Sequence, residues 1–420
     1  MTEPKLSILA QTLIGSEIVK LGGIIKDKIS KGEHIYNYTI GDFDSKEFPI
    51  PKLLLTEIKK AYDDGYTTYP LADGETDLRK AVSGFIKLKQ LLDVDISEIL
   101  IAAGGRPLIY AAYRAIVDKG DKVIYPVPSW NNNHYTHFTE GEHVKIEATQ
   151  ENNFMPTAAQ IKPHIKGAAL IALCSPLNPT GTVFKKQDLQ EICDLIIEEN
   201  AQRGDTEKKL YLLYDQIYWT LTFGDTEHFN PISLRPKMKE YTVFIDGISK
   251  AFAATGVRVG WSFGPKHLIA KMKAINSHVG AWAPMAEQKA VAKFLIQEEA
   301  VNNYFQVFKK EIYFRLKKLH EGFVALKNEG FSVDAIFPQA AIYLTVKIDL
   351  VGKSFKGIKF TNQSGVTEYI LGEAKLAMVP FSSFGANAES YWYRISVGCV
   401  KKEEISHVIE KLRNALKNVE

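Results

Sequence analysis

The chain has 420 residues, of which 45% are hydrophobic and 24% charged, and this composition is typical of a globular protein with two or three domains and a large core. The net charge of +3 is small and no block of lysines and arginines stands out, so we expect no nucleic-acid partner. The cysteines Cys174, Cys193 and Cys399 are far apart and lack metal-ligand spacing, which predicts no metal site, no disulfide framework and a reducing, cytoplasmic compartment.

The start of the chain carries an apolar stretch from Leu6 to Leu21. Polar residues such as Gln11 and Lys20 interrupt it, so it predicts neither a membrane-spanning helix nor a signal peptide. We expect an amphipathic helix packed on the body of the protein, and no membrane partner.

A strand-like run follows and ends in the turn at Gly41, where the missing side chain lets another group approach the backbone. A helix over residues 51–64 then leads to a glycine-rich loop that carries Tyr69. From residue 99 strands and helices alternate, which is the pattern of a largely parallel sheet covered on both faces. The predicted strands are 99–103, 122–126, 170–174, 210–214, 242–245 and 259–263.

Polar or glycine-rich segments follow these strands. Gly104, Gly105 and Arg106 lie between a strand and a helix, where free backbone N–H groups and the positive helix end suit an anion such as phosphate. Trp130 lies just beyond the next strand, where it is either a core residue or a stacking partner for a flat ring.

Two further strands end in hydrogen-bonding side chains. The short loop at Asn178 contains two prolines and a glycine, which predict a rigid backbone with a cis bond before Pro179. Asp215 ends a hydrophobic strand, and its carboxylate needs a partner there, either a structural cation or a cationic ring nitrogen.

The segment from Asp246 to Gly260 places Ser249 and Lys250 among small residues, directly after a buried strand, and Arg258 shortly after them. An apolar environment lowers the pKa of a lysine towards its nucleophilic form, and arginine offers a rigid fork for phosphate. A lysine that can form an imine beside a phosphate clamp is what pyridoxal phosphate requires. The candidate groups from Gly104 to Lys250 all follow carboxyl ends of predicted strands, the edge at which ligands bind in open α/β sheets.

The last third of the chain is predicted to be helical over 266–330, with strands at 341–348, 376–379 and 393–397 and an amphipathic helix at 402–416. The strand at 393–397 would deliver Arg394, whose guanidinium pairs with carboxylates in bidentate fashion. We assign no role to the loop at 352–365.

Taken together, these stretches resemble the class I/II aminotransferases, the aspartate aminotransferase-like branch of fold-type I pyridoxal-phosphate enzymes. The matching motifs occur in the family's order: Ser175-Pro-Leu-Asn178-Pro-Thr-Gly181, Asp215-x-x-Tyr218, Ser249-Lys250 followed by Gly256-Val-Arg258-Val-Gly260, and Arg394-Ile-Ser396. The resemblance implies a mostly parallel central sheet between helices and a smaller α+β domain built from both chain ends. We expect an N-terminal arm at 1–50, a large cofactor domain at 51–285 and a small domain at 286–420.

The resemblance also implies a role for each site residue. Lys250 would hold the cofactor aldehyde as a Schiff base and later act as general base. Asp215 would keep the pyridine nitrogen protonated, and Asn178 and Tyr218 would hydrogen-bond the phenolate oxygen. The remaining implied cofactor contacts are Trp130 on the ring, and Gly104, Gly105, Arg106, Ser249 and Arg258 around the phosphate.

For the substrate, the resemblance implies that Arg394 clamps the α-carboxylate, with Gly41, Trp130 and Asn178 beside it. Tyr69 would reach the phosphate of a neighbouring subunit, which implies a homodimer with shared sites. Two positions depart from the family pattern. Gly247 stands where many relatives have serine, and His134 resembles a histidine that supports the aspartate but lies in a loop that is one residue longer.

The expected activity is ping-pong transamination between an L-amino acid and a 2-oxo acid. The main alternative is a C–S β-lyase on the same scaffold, because both reactions begin with the same proton abstraction. A non-catalytic pyridoxal-binding regulator and a nicotinamide enzyme are disfavoured, since the chain has no basic N-terminal module and no G-x-G-x-x-G after a strand. Aspartate, glutamate or an aromatic amino acid is the expected donor. A distal carboxylate would need a second cation, which Arg114 or the segment at 277–282 would supply.

Overall fold

A computed structural model describes residues 5–15 and 17–420. The helices are α1 (Ile8–Thr12), α2 (Glu17–Ser30), α3 (Lys52–Asp63), α4 (Thr76–Gln90), α5 (Gly105–Ile116), α6 (Asn132–Phe138), α7 (Ala158–Ile161), α8 (Lys186–Gln202), α9 (Pro231–Leu234), α10 (Ile248–Ala251), α11 (Lys266–Val279), α12 (Met285–Leu295), α13 (Glu298–Asn328), α14 (Gln363–Tyr369) and α15 (Ile405–Lys417). The strands are β1 (Tyr36–Asn37), β2 (Ile99–Ala102), β3 (Lys122–Val127), β4 (Glu142–Glu147), β5 (Ala168–Cys174), β6 (Tyr211–Asp215), β7 (Thr242–Gly247), β8 (Gly260–Phe263), β9 (Val333–Ala335), β10 (Tyr343–Ile348), β11 (Ser354–Phe355), β12 (Ile358–Lys359), β13 (Leu376–Ala377), β14 (Val379–Pro380) and β15 (Trp392–Ser396).

Seven strands form the central sheet in the order β2-β8-β7-β6-β5-β3-β4. All neighbouring pairs are parallel except those of β8, which runs antiparallel to both β2 and β7. The carboxyl ends of the parallel strands therefore lie along one edge, and the amino end of β8 lies at that same edge. This arrangement confirms the predicted α/β fold with a mostly parallel central sheet.

The sheet is covered on both faces because its inner strands are apolar on both sides, whereas the edge strand β4 is largely polar and exposed. One face packs against α5 and α11, and the other packs against α3, α4, α8 and α12. In β5, Ile171 points into the second of these cores and its neighbour Ala172 into the first. The near-continuous apolar strands in the sequence have this physical cause.

A second sheet has the order β14-β15-β10-β9 and is wholly antiparallel. Its core includes α13 and α15, together with Tyr36, Tyr38 and Phe48 from the N-terminal part of the chain. Strand β1, near the start of the chain, also pairs in parallel with β13, in the last part of the chain. The N-terminal and C-terminal segments are therefore joined directly. The predicted domain limits at residues 50 and 285 stay a prediction.

The N-terminal helix prediction was wrong in part. Two helices occupy this stretch, and Leu13 to Gly15 between them are not helical. Leu6, Ile8 and Ile14 are 68%, 81% and 70% exposed, so these apolar side chains are not packed against the described chain. Helix α2 packs on the body through Ile25, whereas α1 contacts the body through His137, whose Nε2 lies 3.2 Å from the backbone oxygen of Leu9. Within the predicted stretch, Ser16 lies outside the described residues.

The remaining predicted strands and helices are confirmed within a few residues. The peptide bond between Asn178 and Pro179 is cis, as the sequence suggested. The loop at 352–365 holds the hairpin of β11 and β12, and Ser354 exchanges two backbone hydrogen bonds with Glu420. None of the helices in the described residues is long and apolar enough to cross a membrane.

Candidate active site

A cavity of about 570 Å³ opens at the edge where the parallel strands end. It lies between the central sheet and residues of the second core, such as Tyr343. The sequence-predicted residues that line it are Gly41, Gly105, Arg106, Trp130, Asn178, Asp215, Tyr218, Ser249, Lys250, Arg258 and Arg394. Two predicted residues, Gly104 and Tyr69, do not line it.

Lys250 lies in the short helix α10, directly after β7, and its side chain is partly buried in the cavity. Its Nζ donates a hydrogen bond to the backbone oxygen of Gly41, at 2.5 Å. Burial lowers the pKa of the amine from 10.5 to about 8, while the charge of Asp42 acts in the opposite direction. Near neutral pH the neutral, nucleophilic form of this amine is therefore far more populated than that of a lysine with the ordinary pKa.

Asp215 ends β6, and its Oδ1 accepts a hydrogen bond from the N–H of Ile217 at 3.0 Å. Burial raises the pKa of this carboxyl to about 6. Among the described residues, no lysine, arginine or histidine forms an ion pair with it. A carboxylate in this position suits a cationic group supplied by a ligand.

An anion site is built where α5 begins. Gly104 precedes the helix with φ of +87° and ψ of −175°, and Arg258 Nη2 donates a hydrogen bond to the oxygen of Ala103 at 2.8 Å. A Cβ at Gly104 would lie 2.3 Å from this guanidinium nitrogen. Only glycine therefore lets the arginine lie against the helix N-terminus, where free N–H groups bind anions. Gly104 does not itself line the cavity, but its missing side chain leaves room for Arg258, which does.

The antiparallel strand β8 places Arg258 at this edge, because the residue lies two positions before the amino end of that strand. Gly247 and Gly260 allow the strands to meet closely there. A Cβ at Gly247 would lie 2.8 Å from the Cα of Gly260. The presence of glycine at position 247, where many relatives have serine, is thus explained by packing, since no side chain fits at this position.

Arg394 on β15 is the buried cation at the opposite side of the cavity, with 2% of its surface exposed. Its Nη1 donates to Asn178 Oδ1 at 3.0 Å and its Nη2 donates to the oxygen of Thr39 at 2.6 Å. No carboxylate among the described residues pairs with it, and burial lowers the pKa of its guanidinium. A substrate carboxylate would supply the missing charge.

A pair of tyrosines lies beside this arginine. The hydroxyl oxygens of Tyr218 and Tyr343 are 2.5 Å apart, and the Arg394 guanidinium lies 4.7 Å from the centre of the Tyr343 ring. Burial raises the pKa of both phenols, so both stay protonated at physiological pH.

The mouth of the cavity is formed by Trp130 and Arg106. The Arg106 guanidinium lies 5.6 Å from the centre of the Trp130 ring. Its side chain is exposed and forms no hydrogen bond or ion pair with the described residues. This arginine is therefore available to an anionic ligand.

Together these groups place a nucleophilic amine, a buried carboxylate without a cationic partner, a helix N-terminus with an adjacent arginine, and a buried arginine without a carboxylate partner around one cavity of the described chain. A family model described as aminotransferase class I and II matches residues 33–412. The chain belongs to this family.

Individual relatives agree with the family model. The aminotransferase is 29% identical over 378 residues to a probable aspartate/prephenate aminotransferase of Rickettsia prowazekii, and the match covers 89% of each chain. It is 28% identical over 380 residues to an aspartate aminotransferase of Bacillus sp. strain YM-2, which covers 90% of this chain and 91% of the relative. A solved structure of a single mutant of Thermus thermophilus aspartate aminotransferase has a TM-score of 0.87 and 26% identity, and covers 99% of this chain and 100% of the other.

These comparisons confirm the predicted family, fold and transamination activity, and they do not favour the C–S β-lyase alternative. Enzymes of this family depend on pyridoxal phosphate. The residues of this aminotransferase fit that cofactor. At the edge where the parallel strands end, Gly104 leaves room for Arg258, and Asp215 and the amine of Lys250 line the same cavity.

Other predicted residues lie elsewhere. Tyr69 is 83% exposed, and its ring centroid is 5.5 Å from that of Trp282. Arg114 donates to the oxygen of Phe138 on the surface, and neither it nor Trp282 lines the cavity. The structure therefore gives no support to Arg114 or the 277–282 segment as the distal cation within this chain. Within the described part of the chain, Asp215 accepts a hydrogen bond from the N–H of Ile217, and no hydrogen bond or ion pair joins it to His134.

The sequence reasoning missed several residues of the aminotransferase site. Asp42 Oδ1 accepts hydrogen bonds from Thr255 Oγ1 at 2.6 Å and from the N–H of Phe43 at 2.8 Å. Asp42 directly follows the predicted substrate glycine, and this adjacency is the signal that could have found it. No local pattern marks Tyr343, which lies within an ordinary apolar strand.

Proposed function

We propose that the aminotransferase binds pyridoxal 5'-phosphate through Lys250 and transfers the amino group of an acidic L-amino acid to a 2-oxo acid. The observation that carries this proposal is the placement of Lys250, Asp215 and Arg394 around one cavity. A covalent amine, a partner for a ring cation and a clamp for an α-carboxylate are the three groups this chemistry requires.

When bound, the cofactor supplies an electron sink for the carbanion that forms at the substrate α-carbon. Asp215 would stabilise a proton on the ring nitrogen through its negative charge. Arg394 fixes the α-carboxylate and so orients the Cα–H bond towards Lys250. The Nζ of Lys250, with its lowered pKa, would take the α-proton from the substrate and deliver it to the cofactor carbon that keeps the amino nitrogen.

The phosphate is held by the N-terminus of α5 and by Arg258, whose guanidinium lies against Gly104. Asn178 and Tyr218 lie beside Arg394 and line the same cavity as Lys250. We assign to them the hydrogen bonds to the cofactor's phenolic oxygen. Trp130 forms the aromatic wall at the cavity mouth.

The substrate class follows from Arg106 and from the relatives. An exposed arginine without a protein partner at the cavity mouth favours a donor with a second carboxylate. Relatives named as aspartate and aspartate/prephenate aminotransferases support the same class. We therefore propose aspartate or glutamate as the donor.

Two measurements test this proposal. Borohydride reduction followed by peptide mass analysis is expected to place the cofactor on Lys250, and a tag at another lysine contradicts the assignment. The change Arg106→Ala is expected to lower kcat/KM for aspartate about tenfold to a hundredfold and to leave phenylalanine largely unaffected, because a charge-assisted hydrogen bond contributes about 1.5–3 kcal/mol. An equal loss for both donors, with weaker cofactor binding, would assign Arg106 to the phosphate instead.

We also propose a homodimer in which Tyr69 reaches the site of the partner subunit. Tyr69 and Trp282 form an exposed aromatic pair, and Tyr62, which is 50% exposed, hydrogen-bonds Glu287 on α12. Such exposed apolar surface favours an interface. A location in the cytoplasm is a further proposal, supported by three free cysteines.

Subunit mixing tests the shared site. Tyr69→Ala leaves Lys250 intact, and Lys250→Ala leaves Tyr69 intact. If each site uses both residues from different subunits, co-refolding the two weakly active variants is expected to restore activity in hybrid dimers. An absence of restored activity, in hybrids shown to form, contradicts the shared site.

A further inference from the structure

Tyr343 is a buried residue at the centre of the site to which neither the sequence nor the comparisons assign a role. It begins β10, is 1% exposed, and pairs with Ser396 across the small sheet. Its hydroxyl reaches the cavity next to Gly41, where a Cβ would lie only 2.9 Å from it. Tyr343 thus contacts the cavity from the second core, opposite the strand ends that carry Lys250.

The phenol of Tyr343 makes two functional contacts. Its hydroxyl forms a hydrogen bond to the Tyr218 hydroxyl, and its ring lies under the guanidinium of Arg394. Among the described residues, each of these hydroxyls has the other as its one hydrogen-bond partner. The Tyr343 side chain therefore links the carboxylate clamp to the phenol assigned to the cofactor.

The number of hydroxyl protons decides which tyrosine donates the hydrogen bond between Tyr218 and Tyr343 once a cofactor is bound. A tyrosine hydroxyl has one proton to donate and can accept through its oxygen. If Tyr218 donates its proton to the phenolic oxygen of the cofactor, it must accept from Tyr343. Tyr343 is then the terminal donor of a chain of two hydrogen bonds, and in such chains each bond strengthens the next.

We propose that Tyr343 is a positioning residue, whose hydroxyl directs the proton of Tyr218 towards the cofactor oxygen and whose ring supports Arg394. The proposal rests on the proposed function of this site. It predicts separate consequences for the hydroxyl and for the ring, because one acts on the cofactor and the other on the substrate carboxylate.

The hydroxyl is tested by Tyr343→Phe in the cofactor-loaded enzyme. The readout is the pH midpoint at which the absorbance of the bound cofactor changes. A stronger hydrogen bond to the phenolate lowers this midpoint, so its weakening is expected to raise the midpoint by about half a pH unit to one pH unit. Tyr218→Phe removes the direct bond and is expected to raise the midpoint at least as much.

Other groups near Lys250 do not change in this comparison. Besides Tyr343, the charged or titratable groups that face Lys250 or Tyr218 or line their cavity are Asp42, Arg106, Cys174, Asp215, Arg258, Arg394 and Cys399. All of them are present in both proteins, so a difference in midpoint reports the Tyr343 hydroxyl. The control is Tyr393→Phe, which deletes a buried hydroxyl that contacts Thr367 and Gln363 outside the site, and it is expected to keep the wild-type midpoint.

The ring is tested by Tyr343→Leu with maleate as a dicarboxylate probe. Loss of the ring under Arg394 is expected to weaken maleate binding about three- to thirtyfold, whereas Tyr343→Phe keeps the wild-type affinity. A wild-type midpoint in Tyr343→Phe, when Tyr218→Phe does shift, overturns the hydroxyl role. Unchanged maleate binding in Tyr343→Leu overturns the ring role. Failure of the wild type itself to label at Lys250 overturns the proposed function as well as this inference.

Discussion

Replacing Lys250 with methionine is expected to stabilise the cofactor-free protein near pH 7, and this advantage is expected to disappear at alkaline pH. The Lys250 amine is partly buried beside Arg394 and Arg106, and burial is the main reason that its pKa falls from 10.5 to about 8. Charged Lys250 therefore opposes folding. Methionine fills a similar volume without a charge.

The sign and size follow from linkage between protonation and folding. The unfolded state holds the Lys250 proton more tightly than the folded state, so the destabilisation is fully present below pH 8 and is relieved between about pH 8 and pH 10.5. At about 1.36 kcal/mol per pH unit, the free energy of unfolding of the wild type gains roughly 3 kcal/mol relative to the variant across this window. Loss of the hydrogen bond to Gly41 acts in the opposite direction and offsets about 1 kcal/mol at all pH values below the window.

The assay is thermal or urea unfolding of both cofactor-free proteins at intervals from pH 7 to pH 10.5. Comparing the two proteins at each pH cancels the titration of all other groups. The control is Lys310→Met, which removes an exposed lysine on α13 and is expected to give a difference that does not vary with pH. A difference for Lys250→Met that is equally independent of pH would refute the argument from burial.

Three further predictions concern the anion sites and the packed glycines. Arg394→Lys removes the guanidinium fork, and kcat/KM for amino-acid donors is expected to fall about tenfold to a hundredfold with unchanged cofactor absorbance; loss of cofactor would contradict this role. Gly104→Ala places a Cβ 2.3 Å from Arg258 Nη2, at a φ of +87° that strains alanine. During dialysis, the variant is expected to lose the cofactor at least tenfold faster than the wild type. Unchanged cofactor affinity would show that Gly104 and Arg258 do not form the phosphate site. Gly247→Ser forces a side chain against Gly260, and urea titrations are expected to show a free energy of unfolding that is lower by about 1–3 kcal/mol. An unchanged free energy of unfolding would show that the two strands can move apart without penalty.

Much of the central sheet could be predicted from the sequence, because its strands are buried on both faces and read as apolar runs. The segments after those runs carry Asn178, Asp215 and Lys250, and parallel strands place their carboxyl ends along one edge. The sequence alone therefore supported both the sheet and most of one wall of the cavity. The pattern of neighbouring residues along the chain was sufficient to predict these features.

The opposite wall depended on the tertiary structure. Tyr343 and Arg394 reach the cavity from the second sheet, and Asp42 comes from the start of the chain, more than 200 residues before its partner Thr255. The position of Arg258 follows from the antiparallel direction of β8, which its composition does not reveal. The exposure of the N-terminal apolar residues also became visible only in the folded chain.

The sequence by itself thus determined six of the seven strands of the central sheet, their order along the chain and the residue types at their ends, since these depend on neighbours a few positions apart, whereas the largely polar edge strand β4 was not predicted. The tertiary structure decided which distant side chains meet, because strand direction and the packing of one core against another bring together residues that share no local pattern.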